Sequence, residues 1–451
     1  MTALQRPALT PTPRWEFPAA DRFTLPHGLQ VALFHLPGQY VASVGLLLDA
    51  SLSQEPAGLD GVATVVSGTL IEGSTTLPGA AFAEAVEDHG AVLGGSVDYS
   101  GTQVLVDVPT AHLAAALPLL AQAVAEPSLT DEAVERHAAQ LSAGLAQQLA
   151  TGPGIAARAL RAALLDPSAR ESRPRAGDPV QVRAIRGADA RAHHAATYGP
   201  RGALLVVSGD LRAGVSSQIA DVFGAWRNPT PSAALHLRPQ TQRPRALIID
   251  RPGAVQADVR LGWPTLDRTD PRWPALQLAT HAIGGAYLSR LNRVLREEKG
   301  FTYGISLVNA PLRQGGISYA QAAVRTEVLA EALTLTRGLL RLDDDALTPE
   351  EMTRARDYLT GTTPLRFATA SGVTGGVLGQ ASAGLPADFV TRQLSAYSRV
   401  TPAQATEVAA ALLDPETATL VVVGEADALI PQVSDAGFEA EVRAAEAPDA
   451  S

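Results

Sequence analysis

The segment Leu295-Arg296-Glu297-Glu298-Lys299-Gly300-Phe301-Thr302-Tyr303-Gly304 carries two side chains suited to handling a carbonyl group. A guanidinium is a planar fork of donors that matches carbonyl and carboxylate oxygens. A neutral phenol donates at pH 7 and, held in place, stabilises an oxygen as it gains negative charge. Taken alone, Arg296 and Tyr303 read first as a capped helix end followed by a packing tyrosine. Other chemistries are excluded more firmly. The chain has no cysteine, which removes disulfides, thiolate zinc ligands and thiol nucleophiles. It has no G-x-S-x-G elbow to expose a serine nucleophile. Of its nine histidines, His193 and His194 are adjacent and would point about 100° apart on a helix, and the others have no histidine at chelating spacing. Gly372, Gly375, Gly376 and Gly379 form a glycine-rich segment without the G-K-[ST] context of a phosphate loop. Close helix packing and a flexible turn both account for it.

The elements that must position Arg296 and Tyr303 belong to a repeated plan. Residues 289–298 read as a helix that stops at Gly300, with Lys299 at the end the helix dipole favours for a cation. Residues 203–209 and 418–424 are apolar runs closing on glycine and then an acid, each preceded by an Ala-rich helical stretch, 187–198 and 401–413. Residues 29–35 and 41–50 read as paired strands, and so do 245–250 and 257–263. The offset of about 215 residues means two large copies rather than a solenoid. Within the first copy, 92–97 and 103–109 form a hairpin through Asp98-Tyr99-Ser100-Gly101. Helices follow over 111–125 and 130–149, the second capped by Thr130 with Asp131 and Glu132 in its first turn. Hairpins beside grouped helices predict an α+β chain of two homologous domains, each a mainly antiparallel sheet with helices packed on one face. The domains are expected at 15–227 and 245–438, joined by a Pro-rich linker at 228–244, with disordered tails at 1–14 and 439–451.

Composition agrees with this plan. A chain of 451 residues, 46% hydrophobic and 18% charged, is ordinary globular material for two domains. Lys plus Arg number 36 against 46 Asp plus Glu, a net charge of −10, which argues against a nucleic-acid partner. The arginine-rich stretches 170–175 and 238–245 read as solvated loops. Residues 1–18 lack the apolar segment of a secretory leader. No stretch reaches the roughly 18 uncharged apolar residues of a membrane span. A cytoplasmic protein with no membrane partner is expected.

The long match Gly284-Gly285-Ala286-Tyr287-Leu288-Ser289-Arg290-Leu291-Asn292, continuing through Arg296 to Tyr303-Gly304, resembles the second-half pattern of the pitrilysin/insulinase zinc metallopeptidases, which include the mitochondrial processing peptidases. The likeness extends from about Phe23 to Gly424. The resemblance implies a zinc helix with an H-x-x-E-H signature in the first copy. The corresponding stretch reads Gly61-Val62-Ala63-Thr64-Val65-Val66-Ser67-Gly68. Thr64 and Gly68 stand at the histidine positions and Ser67 at the glutamate. The distal glutamate ligand is also missing, since no acid lies between Glu135 and Asp166. The resemblance therefore implies a non-catalytic subunit that binds no metal itself and closes a chamber with a partner. That partner, an H-x-x-E-H-containing family chain, would hold the zinc. Arg296 and Tyr303 would then serve a peptide substrate in trans, the tyrosine at the developing oxyanion and the arginine holding substrate backbone or orienting the tyrosine. Some non-catalytic relatives use a glycine-rich loop on substrate, a role that Gly372, Gly375, Gly376 and Gly379 would fill. A structural or peptide-binding subunit without catalytic part, like the core subunits of respiratory complexes, is the alternative.

Overall fold

The computed structural model describes residues 15–227, 239–240, 242–343 and 345–445. The first half builds one six-stranded sheet from β1 (Asp21–Thr24), β2 (Gln30–His35), β3 (Val41–Leu48), β4 (Val92–Asp98), β5 (Gly101–Pro109) and β6 (Leu204–Gly209), in the order β1-β2-β6-β3-β5-β4. The second half repeats it with β7 (Ala246–Asp250), β8 (Gln256–Thr265), β9 (Ile305–Pro311), β10 (Gly316–Arg325), β11 (Thr419–Gly424) and β12 (Ala440–Ala444), in the order β12-β7-β11-β8-β10-β9. Most pairings are antiparallel. The parallel ones are β2 with β6, β7 with β11, and β12 with β7. The β4–β5 hairpin turns at Asp98, whose carboxylate accepts from the Ser100 and Gly101 amides at 2.7 and 3.1 Å.

The duplication extends to helix starts. Thr130 and Thr348 cap the long helices Asp131–Leu149 and Pro349–Arg366. Thr151 and Thr369 cap the shorter helices that follow, Gly152–Leu164 and Ala370–Ser382. Each cap satisfies an amide the first turn leaves orphaned.

Within each half the other helices bury one sheet face, as the patterning predicts. Leu205 and Val207 of β6 join one such core with Val62, Val66, Leu117 and Leu120. The second face carries a feature the pattern did not disclose. Leu204 and Val206, which alternate with those residues along the strand, pack with Phe34 against Val373, Val377 and Leu378 from the second half's 370–382 helix. The favour is returned: Val421 and Val423 of β11, with Leu247 and Ile249, pack against Leu160 and Leu164 from the first half's 152–164 helix. The central strands are thus covered on both faces, which is why they read as unbroken apolar runs.

Two glycines permit this exchange. A Cβ on Gly45 of β3 would come within 2.5 Å of Leu378 Cδ1 and 2.6 Å of Thr374 Cγ2. At the equivalent position of β8, a Cβ on Gly262 would come within 2.9 Å of Leu160. Thr374 also donates to the Ser43 carbonyl at 3.2 Å and lies 2.9 Å from Ser208 Oγ.

Three expectations are corrected. The strands at 29–35 and 41–50 do not pair with each other, because β6 lies between β2 and β3, and β11 separates β7 from β8 in the same way. The chain is not loose beyond Phe438, because 440–444 pairs in parallel with β7. That strand is an exposed edge and lacks the buried face that betrays a strand in sequence. Nor is 170–175 a solvated loop. Arg170 is buried and donates to Glu55 Oε2 at 2.7 Å and to the carbonyls of Pro174 and Arg175 at 2.9 and 3.0 Å. Residues 1–14, 446–451 and most of the expected linker lie outside the described residues. Of the linker, the Gln240 amide donates to the Leu164 carbonyl at 3.0 Å. No helix among the described residues is long and apolar enough to cross a membrane.

Candidate functional site

Arg296 lies on a helix whose turns widen toward its end. The Lys299 amide donates five residues back to Val294 at 3.0 Å, and Phe301 six back to Leu295 at 2.9 Å. Gly300 closes the helix at φ +63°, a conformation glycine adopts without steric cost. A buried asparagine fixes this unit to the sheet. Asn292 Nδ2 donates to the Ile305 carbonyl at 2.9 Å and to Ala286 at 3.2 Å, and its Oδ1 accepts from the Ile305 amide at 3.1 Å.

The Arg296 guanidinium stacks 4.1 Å from the centre of the Tyr287 ring and donates to the Tyr287 hydroxyl. Glu297 adds a carboxylate oxygen at 3.5 Å. The fork is therefore held in place before any ligand arrives. It borders a cleft of about 490 Å³ shared with Asp258, Arg260, Ser306 and Gln321, with Pro153 and Ala156 of the exchanged 152–164 helix on one side. Burial pushes the Asp258 carboxyl above its usual range against the pull of Arg251 and Arg260.

Tyr303 does not line this cleft, although its neighbour Gly304 does. The residue is 96% exposed, in a turn tied by Thr302 Oγ1 to the Gly304 amide at 3.1 Å and carbonyl at 2.9 Å. No hydrogen bond or ring contact joins Arg296 and Tyr303 among the described residues. Tyr287, which positions the arginine, and Asn292, which anchors the helix, were not singled out from the sequence. A turn at 286–289 separates Tyr287 from Arg296, so no helical spacing links the two.

The helix Val62–Thr69 holds the positions expected for a zinc motif. Its start is well built: Gly61 adopts φ +101°, and Glu55 Oε1 accepts from the Gly61 and Ala63 amides at 2.9 and 3.0 Å. Burial raises the Glu55 carboxyl above its ordinary range, against the pull of Arg170 and these amides. Its chemical content is poor. Thr64 Oγ1 and Ser67 Oγ are buried without a hydrogen-bond partner. At Gly68 a Cβ would come within 1.9 Å of His137 Nε2, on the 131–149 helix. The imidazole fills the space where a side chain at position 68 would project. Burial holds His137 below its usual pKa, with Glu72 pulling it up and Arg136 down. On the other side Gly95 of β4 lies tight on the helix, its Cβ position 2.5 Å from the Ser67 carbonyl. Among the described residues no three His, Asp or Glu side chains converge as a metal site would require. Two hydroxyls, a glycine and one packed imidazole do not fit zinc.

Two further placements differ from the sequence reading. The glycine-rich segment is not a loop, because Gly372, Gly375, Gly376 and Gly379 all lie in the 370–382 helix. And His89 and His112, far apart in sequence, bring their Nδ1 atoms to 3.2 Å on the surface.

Comparison with known proteins identifies the family and the fold. Residues 30–165 match the family model described as Insulinase (Peptidase family M16), and residues 184–359 match the one described as Peptidase M16 inactive domain. The chain belongs to the M16 insulinase family. An uncharacterized zinc protease of Streptomyces coelicolor is 25% identical over 358 residues, 76% of each chain. The M16 inactive domain from Pseudomonas fluorescens superimposes with a TM-score of 0.83 at 21% identity, over 90% of this chain and 98% of that one. A chain of complex III2 from Candida albicans does so with a TM-score of 0.74 at 14% identity, over 93% and 100%. These likenesses establish the two-domain M16 fold. Within the family, this chain lacks the H-x-x-E-H signature.

Proposed function

We propose that this chain is the non-catalytic subunit of a heterodimeric zinc peptidase. The partner, an M16 chain with H-x-x-E-H and the distal glutamate, would hold the zinc and the general base. This chain closes the chamber and offers Arg296 and Tyr303 to a bound peptide. One observation carries the reading. The arginine is fixed by Tyr287 at a cleft while Tyr303, seven residues on, is exposed to solvent, in a chain whose position 68 is blocked by His137. A preorganised arginine and a phenol open to solvent are of use only to something that approaches from outside. Cytoplasmic residence belongs to the same reading, and fractionation of the native host checks it.

The test uses the chain co-expressed with an H-x-x-E-H chain from the same genome. The purified complex should cleave unfolded peptides, and this chain alone should carry no stoichiometric zinc. Tyr303→Phe should leave assembly intact and lower kcat by about 10²–10³, the worth of one preorganised oxyanion donor. Unchanged turnover would exclude the proposed role of Tyr303. The second reading, a structural or peptide-binding subunit without catalytic part, draws support from the likeness to the complex III2 chain. It predicts a stable complex whose turnover ignores both Arg296 and Tyr303.

A further inference from the structure

The four glycines of the 370–382 helix do not share one explanation. At Gly372 a Cβ would come within 2.2 Å of the Arg366 carbonyl, and at Gly376 within 2.2 Å of the Phe367 ring, so packing requires both. At Gly375 and Gly379 a Cβ would meet nothing within 4 Å. Each glycine in a helix interior costs about 1 kcal/mol relative to alanine, and here no neighbour accounts for that cost. Both instead border a groove of about 460 Å³ between their helix and the segments carrying Arg268, Arg366 and Tyr397.

The groove is charged on one side and apolar on the other. Arg268 is half-buried and Arg366 is exposed at the rim, and neither has an ion-pair or hydrogen-bond partner among the described residues. Burial lowers the Arg268 pKa, as expected of a cation taken from water without a counter-ion. Burial raises the Tyr397 phenol, and the fields of Arg366 and Arg268 oppose it. That hydroxyl is itself tied to Gln277 and Gln393. Phe389, Val390 and Leu394 supply an apolar wall. Two arginines lining one groove beside an apolar wall suit a carboxylate, which accepts two parallel hydrogen bonds from one fork. The volume is that of a small-ligand site.

We propose that this groove binds the carboxylate end of an apolar chain, with the carboxylate at Arg268 and Arg366 and the chain lying over Gly375 and Gly379. Two sources carry that chemistry, the free C-terminus of a peptide ending in an apolar residue and a fatty acid. The site stands apart from the Arg296 cleft and does not depend on the partner proposed above.

Calorimetric titration of the full chain tests it with three probes: an acetylated Ala-Ala-Leu tripeptide acid, its C-terminal amide, and decanoate. The acid should bind at least tenfold more tightly than the amide. Arg268→Gln and Arg366→Gln should each weaken binding tenfold or more. Gly375→Leu enters open space and improves helix propensity, so it should keep or raise Tm while abolishing binding. Binding of the peptide acid alone, or of decanoate alone, through the same arginines supports the proposal and identifies the source. Equal binding of acid and amide, no binding of either carboxylate at millimolar concentration, or binding unaffected by Gly375→Leu overturns it.

Discussion

Replacing Gly68 by alanine adds a single carbon, placed 1.9 Å from His137 Nε2 and 2.5 Å from its Cε1. Ordinary carbon contacts lie near 3.5–4.0 Å, so the imidazole must withdraw by about 1.5 Å or more. Two effects oppose each other. Alanine is favoured over glycine inside a helix by about 1 kcal/mol. Overpacking a filled site costs about 1–3 kcal/mol. The clash should win, because His137 is half-buried on a helix continuous from Asp131 to Leu149 and cannot swing away freely. Gly68→Ala is therefore expected to destabilise the chain by about 1–2 kcal/mol. In a His137→Ala background the obstruction is gone, and the same change should stabilise by up to about 1 kcal/mol. The sign reversal corresponds to a coupling of about 2 kcal/mol, well above what independent sites show. Urea unfolding of the parent, both single variants and the double variant measures it. If Gly68→Ala has the same sign and size in both backgrounds, His137 does not occupy the vacated ligand position and the reasoning fails.

Other consequences can be checked on the same footing. His193 is buried with both ring nitrogens unpartnered, and burial, with His194 adding a smaller push, lowers its pKa from 6.5 to about 4. The unfolded chain therefore binds the proton first, and stability present above pH 6.5 is lost as pH falls toward 4, by about 3 kcal/mol from this group. His193→Leu should remove that share of the slope in pH-dependent unfolding, while the other lowered histidines, His137, His194 and His281, keep theirs. Arg290 holds Glu351 through both carboxylate oxygens at 2.5 and 2.6 Å; burial pushes Glu351 up, but these bonds and those from Thr348 bring it down to about 2. Arg290→Met should cost about 3 kcal/mol at pH 7, and NMR titration should find Glu351 back near 4.5; in the parent, the Glu351 contribution is lost as pH falls from 4.5 through 2. Gly45→Val should lower stability by about 1–3 kcal/mol through its clash with Leu378 and Thr374, and solvent exchange at the 370–382 amides should rise with it.

What could be read in advance followed local patterning. The duplicated strands, the β4–β5 hairpin, the Thr130 cap and the emptied zinc motif all lie in contiguous residues whose periodicity or identity is enough. What could not be read depends on contacts between distant segments. Arg170 sits among arginines and prolines that look solvated, and only the fold brings Glu55 to it. Tyr287 finds Arg296 across an irregular turn. His137 looks like an isolated surface histidine until the 131–149 helix lies against Gly68. For the glycines at 372–379 the sequence left close helix packing and a turn both open, and Thr369 with the apolar face formed by Val373, Val377 and Leu378 decides for the helix.

The reciprocal helices also set what kind of motion the chain permits. Each half lends the other the cover for a sheet face, so neither is complete when they are apart. Hinging at the linker would expose Phe34, Leu204 and Val206 on one side and Leu247, Val421 and Val423 on the other. The covalent connection at 228–244 is then redundant for cohesion: two fragments divided there should still clasp into one body when produced together, and each alone should aggregate. A substrate chamber built with this subunit would open by moving it whole against its neighbour, as a shell swings on its rim rather than bending through its own middle.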